Sequence, residues 1–196
     1  MAITVPRSIP EAVLRIGAEQ GVEHVSIRVV AAAAGVSIGT VQHHFPTKDA
    51  LLQAAYAEVL DRIAARIETV VVGKDVRLNL TAVLRELLPL DRNRVRETRV
   101  HLGFAARAAT APPLADTQRA ALSRLRTGLA ASFARATGAA PERCELAAHV
   151  AIAVADGLAL HAVSSGGWLS GQAQRDALEL AIDALVVTLE GDPHQA

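Results

Sequence analysis

The stretch Ala34–Phe45, AGVSIGTVQHHF, places a glycine before a short segment with helical periodicity. Gly35 suits the left-handed conformation that ends a preceding helix, and Ser37 is a residue type that caps the next one. On a helical wheel with about 100° per residue, Val41 and Phe45 fall on one side. We therefore predict a short helix that packs through Val41 and Phe45 and exposes its other faces.

The exposed faces of this helix carry residue types that recognise DNA. Two short helices joined by a glycine-containing turn have the spacing of a helix-turn-helix, whose second helix lies in the major groove. Gln42 offers a donor and an acceptor together, the adjacent histidines can donate to bases or phosphates, and Gly39 allows close backbone approach. Ile38 flanks the apolar side. The predicted DNA-contacting residues are Arg28, Ser37, Ile38, Gly39, Thr40, Gln42, His43, His44 and Lys48.

The composition of the 196-residue chain favours an all-α protein. Hydrophobic residues make up 51% and aromatic residues 3%, with abundant alanine and leucine, which suits packed helices better than a sheet. Cys144 is the only cysteine, which excludes an internal disulfide and zinc sites that need two thiolates. The N-terminal residues do not resemble a signal peptide, so we expect a cytoplasmic protein with neither metal nor cofactor.

The charge pattern gives no general argument for nucleic-acid binding. The chain has 20 basic and 20 acidic residues, so its formal net charge is zero. The segment 1–56 is also balanced, which predicts that few phosphates are neutralised and that DNA binding depends only modestly on salt. The charged residues of this segment are Arg7, Arg15, Arg28, Lys48, Glu11, Glu19, Glu23 and Asp49.

Capping and helix-breaking residues predict about nine helices. The first begins with a capping box formed by Ser8 and Glu11, and the fourth extends from Lys48 to Val72. The remaining five are expected at 76–88, about 95–109, 114–137, 141–163 and 172–189. The apolar run 146–163 is as long as a membrane span, but it contains a central aspartate and two histidines, so we expect a buried helix of a soluble protein and no membrane partner.

The segment TVQHHFPTKDALL, preceded by VVAAAAGVSIG, resembles the recognition segment of the TetR (tetracycline-repressor) family of bacterial transcription regulators. The resemblance covers residue 8 to about residue 56. It departs from the family pattern at Gln42, where the family usually has a tyrosine that contacts phosphate. The resemblance implies a DNA-binding domain at 1–52, with the helix-turn-helix at about 26–45, and a larger ligand-binding and dimerisation domain at 53–196.

The resemblance also implies that the last two helices form a homodimer interface. The segments ELAAHVAIAVADGLALHAV and QAQRDALELAIDALVVTLE agree, because they are apolar on more than one face. We expect a one-component regulator, in the usual case a repressor, that binds a palindromic operator and is released by a small-molecule effector, and no enzyme activity. The alternative is a dimeric scaffold or small-molecule-binding protein whose DNA-binding domain no longer recognises a DNA sequence.

Candidate effector contacts are scattered through the C-terminal helices. A buried charge in an apolar helix needs a partner, so Asp156 is either a ligand contact or a structural polar group near the dimer interface. Trp168 covers a pocket, anchors a partner subunit or packs in the core, and the residues near position 104 line a pocket or simply pack. The candidate pocket residues are His101, Phe104, Arg107, His149, Asp156 and Trp168.

Overall fold

The computed structural model describes residues 5–191, and no strand occurs within them. The chain is built from α-helices, with one turn of 3-10 helix at Val22–His24. The all-α fold class and the nine-helix count are therefore confirmed for the described residues. The nine helices are α1 (Ser8–Gln20), α2 (Ile27–Ala34), α3 (Ile38–His44), α4 (Lys48–Glu68), α5 (Val76–Arg85), α6 (Arg92–Ala108), α7 (Pro112–Thr137), α8 (Pro141–Ser164) and α9 (Gly171–Glu190).

The predicted capping box at the start of α1 is wrong. Ser8 is already helical, and the N-cap position belongs to Arg7, which has helical dihedral angles and makes no side-chain capping bond. The amides of Ile9 and Glu11 donate to the carbonyls of Pro6 and Arg7. The chain therefore turns before Ser8, and the serine is no longer in the extended conformation that a capping side chain requires.

Two helices end earlier than predicted. α4 stops at Glu68 instead of Val72, and Asn79 on α5 holds the following loop through two hydrogen bonds to the backbone of Gly73, at 2.8 and 2.9 Å. α5 stops at Arg85 instead of residue 88, and its last turn tightens into bonds between residues three apart. Pro89 contributes to the second difference, because it has no amide hydrogen to donate to the carbonyl of Arg85, which accepts from the amide of Leu88 instead.

Contacts divide the chain into two compact units. The first contains the chain up to Arg62 together with Val95–Gln118, and the second contains Ile63–Arg94 together with the chain from Arg119. α4, α6 and α7 each begin in one unit and end in the other. The predicted functional division into 1–52 and 53–196 is a different partition, and it stays a prediction.

In the first unit, α6 packs closely against α1 and the 3-10 turn. A Cβ atom built at Gly17 on α1 would lie 3.2 Å from Cγ2 of Val100, and one built at Gly103 on α6 would lie 3.0 Å from Cγ1 of Val22. Any larger residue at Gly103 would force its neighbours apart, since packed interiors leave no spare volume. The close contact between α1 and α6 therefore depends on glycine.

The second unit has a leucine- and alanine-rich core. α8 contributes small residues, including Ala148, Ala151 and Ala155, all fully buried, so its backbone can lie close to α9. Larger side chains from α5, α7 and α9 fill the remaining space. They include Leu80, Leu84, Leu129, Phe133, Leu178, Ile182 and Val186.

Candidate nucleic-acid interface

The turn between α2 and α3 is closed by Gly35. Its φ of 68° and ψ of 30° lie in the left-handed region, as predicted. The amide of Gly35 donates to the carbonyl of Ala32 at 3.4 Å, and the amide of Val36 donates to the carbonyl of Ala31 at 3.1 Å. This glycine C-cap ends α2 and turns the chain toward α3.

Serine side chains cap both helices of this motif. The Ser26 hydroxyl accepts from the amide of Val29 at 3.3 Å, and the Ser37 hydroxyl accepts from the amide of Thr40 at 2.9 Å. The Ser37 and Thr40 hydroxyl oxygens also lie 2.9 Å apart in a mutual hydrogen bond. Two hydroxyls therefore stand side by side at the start of α3, both predicted from the sequence as phosphate contacts.

α3 buries one residue and exposes most of the others. Val41 is fully buried, as predicted, but Phe45 is only half-buried and Ile38 is 47% exposed. The helical wheel predicted that Phe45 lies beside Val41 on the buried side of α3. Phe45 is instead the non-helical C-cap residue, with a φ of −133°, so its side chain does not continue the buried side of the helix. Arg28, Ser37, Gly39, Gln42 and His43 are exposed, and Thr40, His44 and Lys48 are half-buried.

Gly39 has no packing reason to be glycine. A Cβ atom built there would meet only the Ser37 hydroxyl oxygen, at an ordinary contact distance of 3.6 Å, and its backbone is helical. The protein itself therefore has room for alanine at this exposed position, which would also favour the helix. A requirement for glycine would have to come from a molecule outside the chain.

Two basic side chains of this region bind backbone carbonyls. Lys48 donates from Nζ to the carbonyl of Glu23 at 3.3 Å, which ties the start of α4 to the 3-10 turn. Arg15 on α1 donates from Nη2 to the carbonyl of Ala33 at 3.0 Å, at the end of α2. The sequence singled out Lys48 only as a DNA contact and gave Arg15 no role, because the acceptor of Arg15 lies 18 residues further along the chain.

Two of the candidate effector residues lie in an aromatic cluster. The Phe104 ring stacks on Tyr56 with ring centroids 5.0 Å apart, and His101 lies 5.8 Å from the Tyr56 ring. Phe104 and Tyr56 are fully buried. Burial lowers the pKa of His101, and its Nδ1 is a buried nitrogen with no hydrogen-bond partner among the described residues. This cluster joins α4 to α6 inside the first unit.

Arg107 lies apart from this cluster, at the end of α6. Its Nη2 is 3.9 Å from Oδ1 of Asp49, in the first turn of α4. Asp49 is strongly exposed and Arg107 partly so, so this pair contributes little stability by itself. It nevertheless places Arg107 beside the start of α4, and its predicted contact with effector stays a prediction.

The remaining candidates lie on and after α8 in the second unit. His149 is exposed and Asp156 is half-buried on a neighbouring part of the helix surface. Burial raises the pKa of Asp156 to about 6, and the described residues form no ion pair with it. Trp168, in the loop after α8, is 76% exposed, so the core-packing alternative for it is wrong, and contact with a ligand or a partner subunit stays a prediction. The chain bends there through Gly166 and Gly167, both with positive φ.

α8 and α9 each expose an apolar stripe opposite the core. Leu146, Val150 and Leu160 are 56%, 42% and 45% exposed on α8, and Leu180 and Val187 are 72% and 58% exposed on α9. On α8, Leu146 and Val150 are four residues apart and Val150 and Leu160 are ten apart. On α9, Leu180 and Val187 are seven apart. At about 100° per residue, these spacings keep each set on one side of its helix. We call these five residues the apolar face of α8 and α9.

Two capped helices around a left-handed glycine, with a polar surface on the second, define a helix-turn-helix protein. Comparison with known proteins agrees. Residues 9–55 match the family model described as bacterial regulatory proteins, tetR family, and residues 76–187 match the model described as BetI-type transcriptional repressor, C-terminal. The chain belongs to the TetR family of bacterial transcriptional regulators, and the resemblance noted in the sequence is confirmed.

Individual relatives cover nearly the whole chain. The HTH-type transcriptional regulator BetI of Burkholderia cenocepacia is 33% identical over 184 residues, covering 93% of this chain and 92% of BetI. The crystal structure of a transcriptional regulator from Rhodococcus sp. RHA1 is 40% identical, with a TM-score of 0.89 over 97% of this chain and 100% of that chain. These relatives are transcriptional regulators, and this chain is a regulator rather than an enzyme.

A second solved structure shares the fold at lower identity. It is a protein from Saccharomonospora viridis in complex with choline, 24% identical, with a TM-score of 0.75 over 90% of this chain and 94% of that chain.

Proposed function

We propose that this regulator is a repressor that binds a palindromic operator as a homodimer and releases it when a small-molecule effector binds. The observation that carries the proposal is the exposed polar surface of α3, a helix that follows the Gly35 turn and begins at the Ser37 cap. A second copy would present a second α3, and operator half-sites would follow at about 34 to 36 Å or somewhat more.

We assign base recognition to the exposed side chains of α3. Gln42 can donate to and accept from one base, and His43 can donate to a second. Ile38, exposed although apolar, suits contact with a thymine methyl group. Phosphate contacts would come from the residues around this surface, namely Arg28, Ser37, Thr40, His44 and Lys48.

The apolar face of α8 and α9 supports the homodimer. An exposed row of large apolar side chains on two adjacent helices is costly in water, and burial against a symmetric copy removes that cost. α8 is also the one described helix that is long and apolar enough to cross a membrane, with 33% of its most apolar window buried. We assign its exposed apolar side to the partner subunit and place the protein in the cytoplasm.

For the effector we propose a small cation that contacts Asp156. A half-buried carboxylate without an ion-pair partner in the described residues is unfavourable, and a bound cation would offset the cost of its burial. His149, one heptad earlier, would lie near the same ligand. His101, Phe104, Arg107 and Trp168 remain candidate contacts, of which Trp168 is accessible for a loop contact with ligand or partner.

Choline and 3,3-dimethyl-1-butanol form a matched pair of probes for this site. They have nearly the same shape and differ in the positive charge. We expect choline to raise the melting temperature and weaken operator binding more than the neutral alcohol, and Asp156→Asn to remove the difference. Equal responses to both probes in the wild-type protein would contradict recognition of a cation by Asp156.

Selection of bound duplexes from a random DNA pool tests the proposed function as a whole. We expect a palindrome to be enriched, and Thr40→Ala combined with His43→Ala to abolish its binding, while the control Thr117→Ala on α7 leaves it unchanged. No enrichment even at low salt would refute the operator-binding function. That result would favour a dimeric scaffold or ligand-binding protein whose DNA-binding domain no longer recognises a DNA sequence.

A further inference from the structure

Arg15 forms a bond between two helices of the DNA-binding region. Its Nη2 lies 3.0 Å from the carbonyl oxygen of Ala33, although Arg15 belongs to α1 and Ala33 to the last turn of α2. Two acidic residues, Glu11 and Glu19, are closer in sequence at positions four before and four after Arg15. Among the described residues neither forms an ion pair with Arg15, so the guanidinium is directed to α2 instead.

The acceptor of this bond is a carbonyl that needs a partner. The last four carbonyls of a helix have no amide within the helix to bind, and together they carry the negative end of the helix dipole. In α2, the amides of Gly35 and Val36 satisfy Ala32 and Ala31. Arg15 supplies a charged donor to the next carbonyl, that of Ala33, the second-to-last residue of α2.

Lys48 makes a comparable contact on the other side of the motif. It follows α3 and donates to the carbonyl of Glu23, which precedes α2. Two cations therefore hold the chain from Ser26 to Thr47, one bound at the close of α2 and one that follows α3. The turn at 35–37, which joins α2 to α3, begins two residues after the first of these contacts.

We propose that Arg15 is a positioning residue for operator recognition. By capping α2 at Ala33, it sets the direction in which the turn presents α3, and it does so without contacting DNA. The inference rests on the proposed function. Two of the four basic residues in 1–56, Arg15 and Lys48, thus act on the protein's own backbone.

The dependence of binding on salt separates a positioning residue from a phosphate contact. A side chain that neutralises a phosphate contributes to the slope of log K against log salt, and its loss weakens binding to every sequence about equally. A positioning residue contributes to the affinity for the correct sequence and leaves that slope unchanged. Loss of fold stability alone would alter neither the slope nor the ratio of affinities.

The experiment compares Arg15→Met, Arg15→Lys and the exposed Arg28→Met in the full-length protein. Each is titrated at several salt concentrations against the selected operator and a scrambled duplex of equal length. The bond is exposed to solvent, so we expect Arg15→Met to lose about two- to tenfold in operator affinity and to lose less against the scrambled duplex. Its salt slope should match the wild type, and Arg15→Lys should recover part of the affinity.

Arg28→Met is the control for a phosphate contact. We expect it to weaken both duplexes alike and to reduce the salt slope by about one for each Arg28 in the complex. The same behaviour in Arg15→Met would overturn the proposal, and so would an unchanged ratio of operator to scrambled affinity. A wild-type protein that selects no duplex would instead refute the proposed function, and the role of Arg15 in recognition with it.

Hydrogen exchange in the free protein provides a second readout that needs no DNA. The amides of Gly35 and Val36 close the turn after α2. We expect both to exchange faster in Arg15→Met, while amides in α9 exchange at the wild-type rate. Unchanged exchange at the turn would show that Arg15 does not hold the end of α2, and would overturn the proposal even if operator affinity fell.

Discussion

Replacement of Gly39 by alanine should make the protein more stable and a weaker DNA binder. The added methyl group meets only the Ser37 hydroxyl oxygen, at 3.6 Å, and the backbone of Gly39 is helical. Alanine therefore fits the free protein without strain. In the proposed complex the same methyl group points out of α3 toward the DNA, where the absence of a side chain lets the backbone come close.

The two effects have opposite signs and comparable sizes. Alanine in place of glycine in a helix contributes roughly 0.5 to 1 kcal/mol, less where the position lies in the first turn. For a chain of this length, 1 kcal/mol shifts the melting temperature by about 2 to 4 °C. A methyl group forced into a filled interface costs about 1 to 3 kcal/mol, which corresponds to a loss of about 5- to 150-fold in operator affinity.

Thermal unfolding and fluorescence anisotropy with the selected operator measure both effects. Gly128→Ala is a matched control, because Gly128 is an exposed helical glycine on α7 whose added Cβ would meet nothing within 4 Å. It should raise the melting temperature and leave operator affinity unchanged. If Gly39→Ala binds the operator as tightly as the wild type, α3 does not approach DNA at this residue and the proposed docking is wrong.

Three further predictions follow from packing, burial and exposure. Gly103→Ala should lower the free energy of unfolding by about 1 to 3 kcal/mol, because the added Cβ would lie 3.0 Å from the branched, buried side chain of Val22. An unchanged denaturant midpoint of unfolding would contradict this prediction. Asp156 has a pKa raised to about 6 by burial, so the folded state holds its proton more tightly than the unfolded state, and stability should fall as pH rises from about 4 to 6. Asp156→Asn should remove that fall and gain about 1 to 3 kcal/mol at pH 7.5. Leu180→Glu should give folded monomers in sedimentation equilibrium, whereas Leu78→Glu, at an exposed leucine of α5, should remain dimeric; a dimeric Leu180→Glu protein would exclude Leu180 from the interface.

The helix-turn-helix was predictable because its signals act over a few residues. Ser26, Ser37 and Gly35 cap and end helices through bonds to residues no more than four positions away. The boundaries at Ser8 and Glu68 were less predictable. Capping at Ser8 depended on dihedral angles already set at Arg7, and the end of α4 is followed by a loop that side-chain bonds fasten to α5.

Contacts between side chains that are far apart in the chain could not be predicted from sequence patterns. The sequence indicated His101 and Phe104 as possible pocket residues, but it gave no sign that Tyr56, 48 residues before Phe104, stacks on Phe104 and contacts His101. It also counted Arg15 only as a charge. In each case the contacting residue lies on another helix, and the periodicity within one helix does not predict which helices become neighbours.

The resemblance of residues 8 to about 56 to a known family indicated which family the chain belongs to, while composition and local capping by themselves determined that the chain is all helical and that α2 and α3 form a helix-turn-helix. These properties depend on propensity and on bonds within one or two turns, which sequence order specifies directly. Only the tertiary structure decided that Gly103 lies against Val22, that Trp168 is exposed, and that Arg15 and Lys48 bind backbone carbonyls. Those contacts join residues far apart in the chain, so they exist only once the helices have packed.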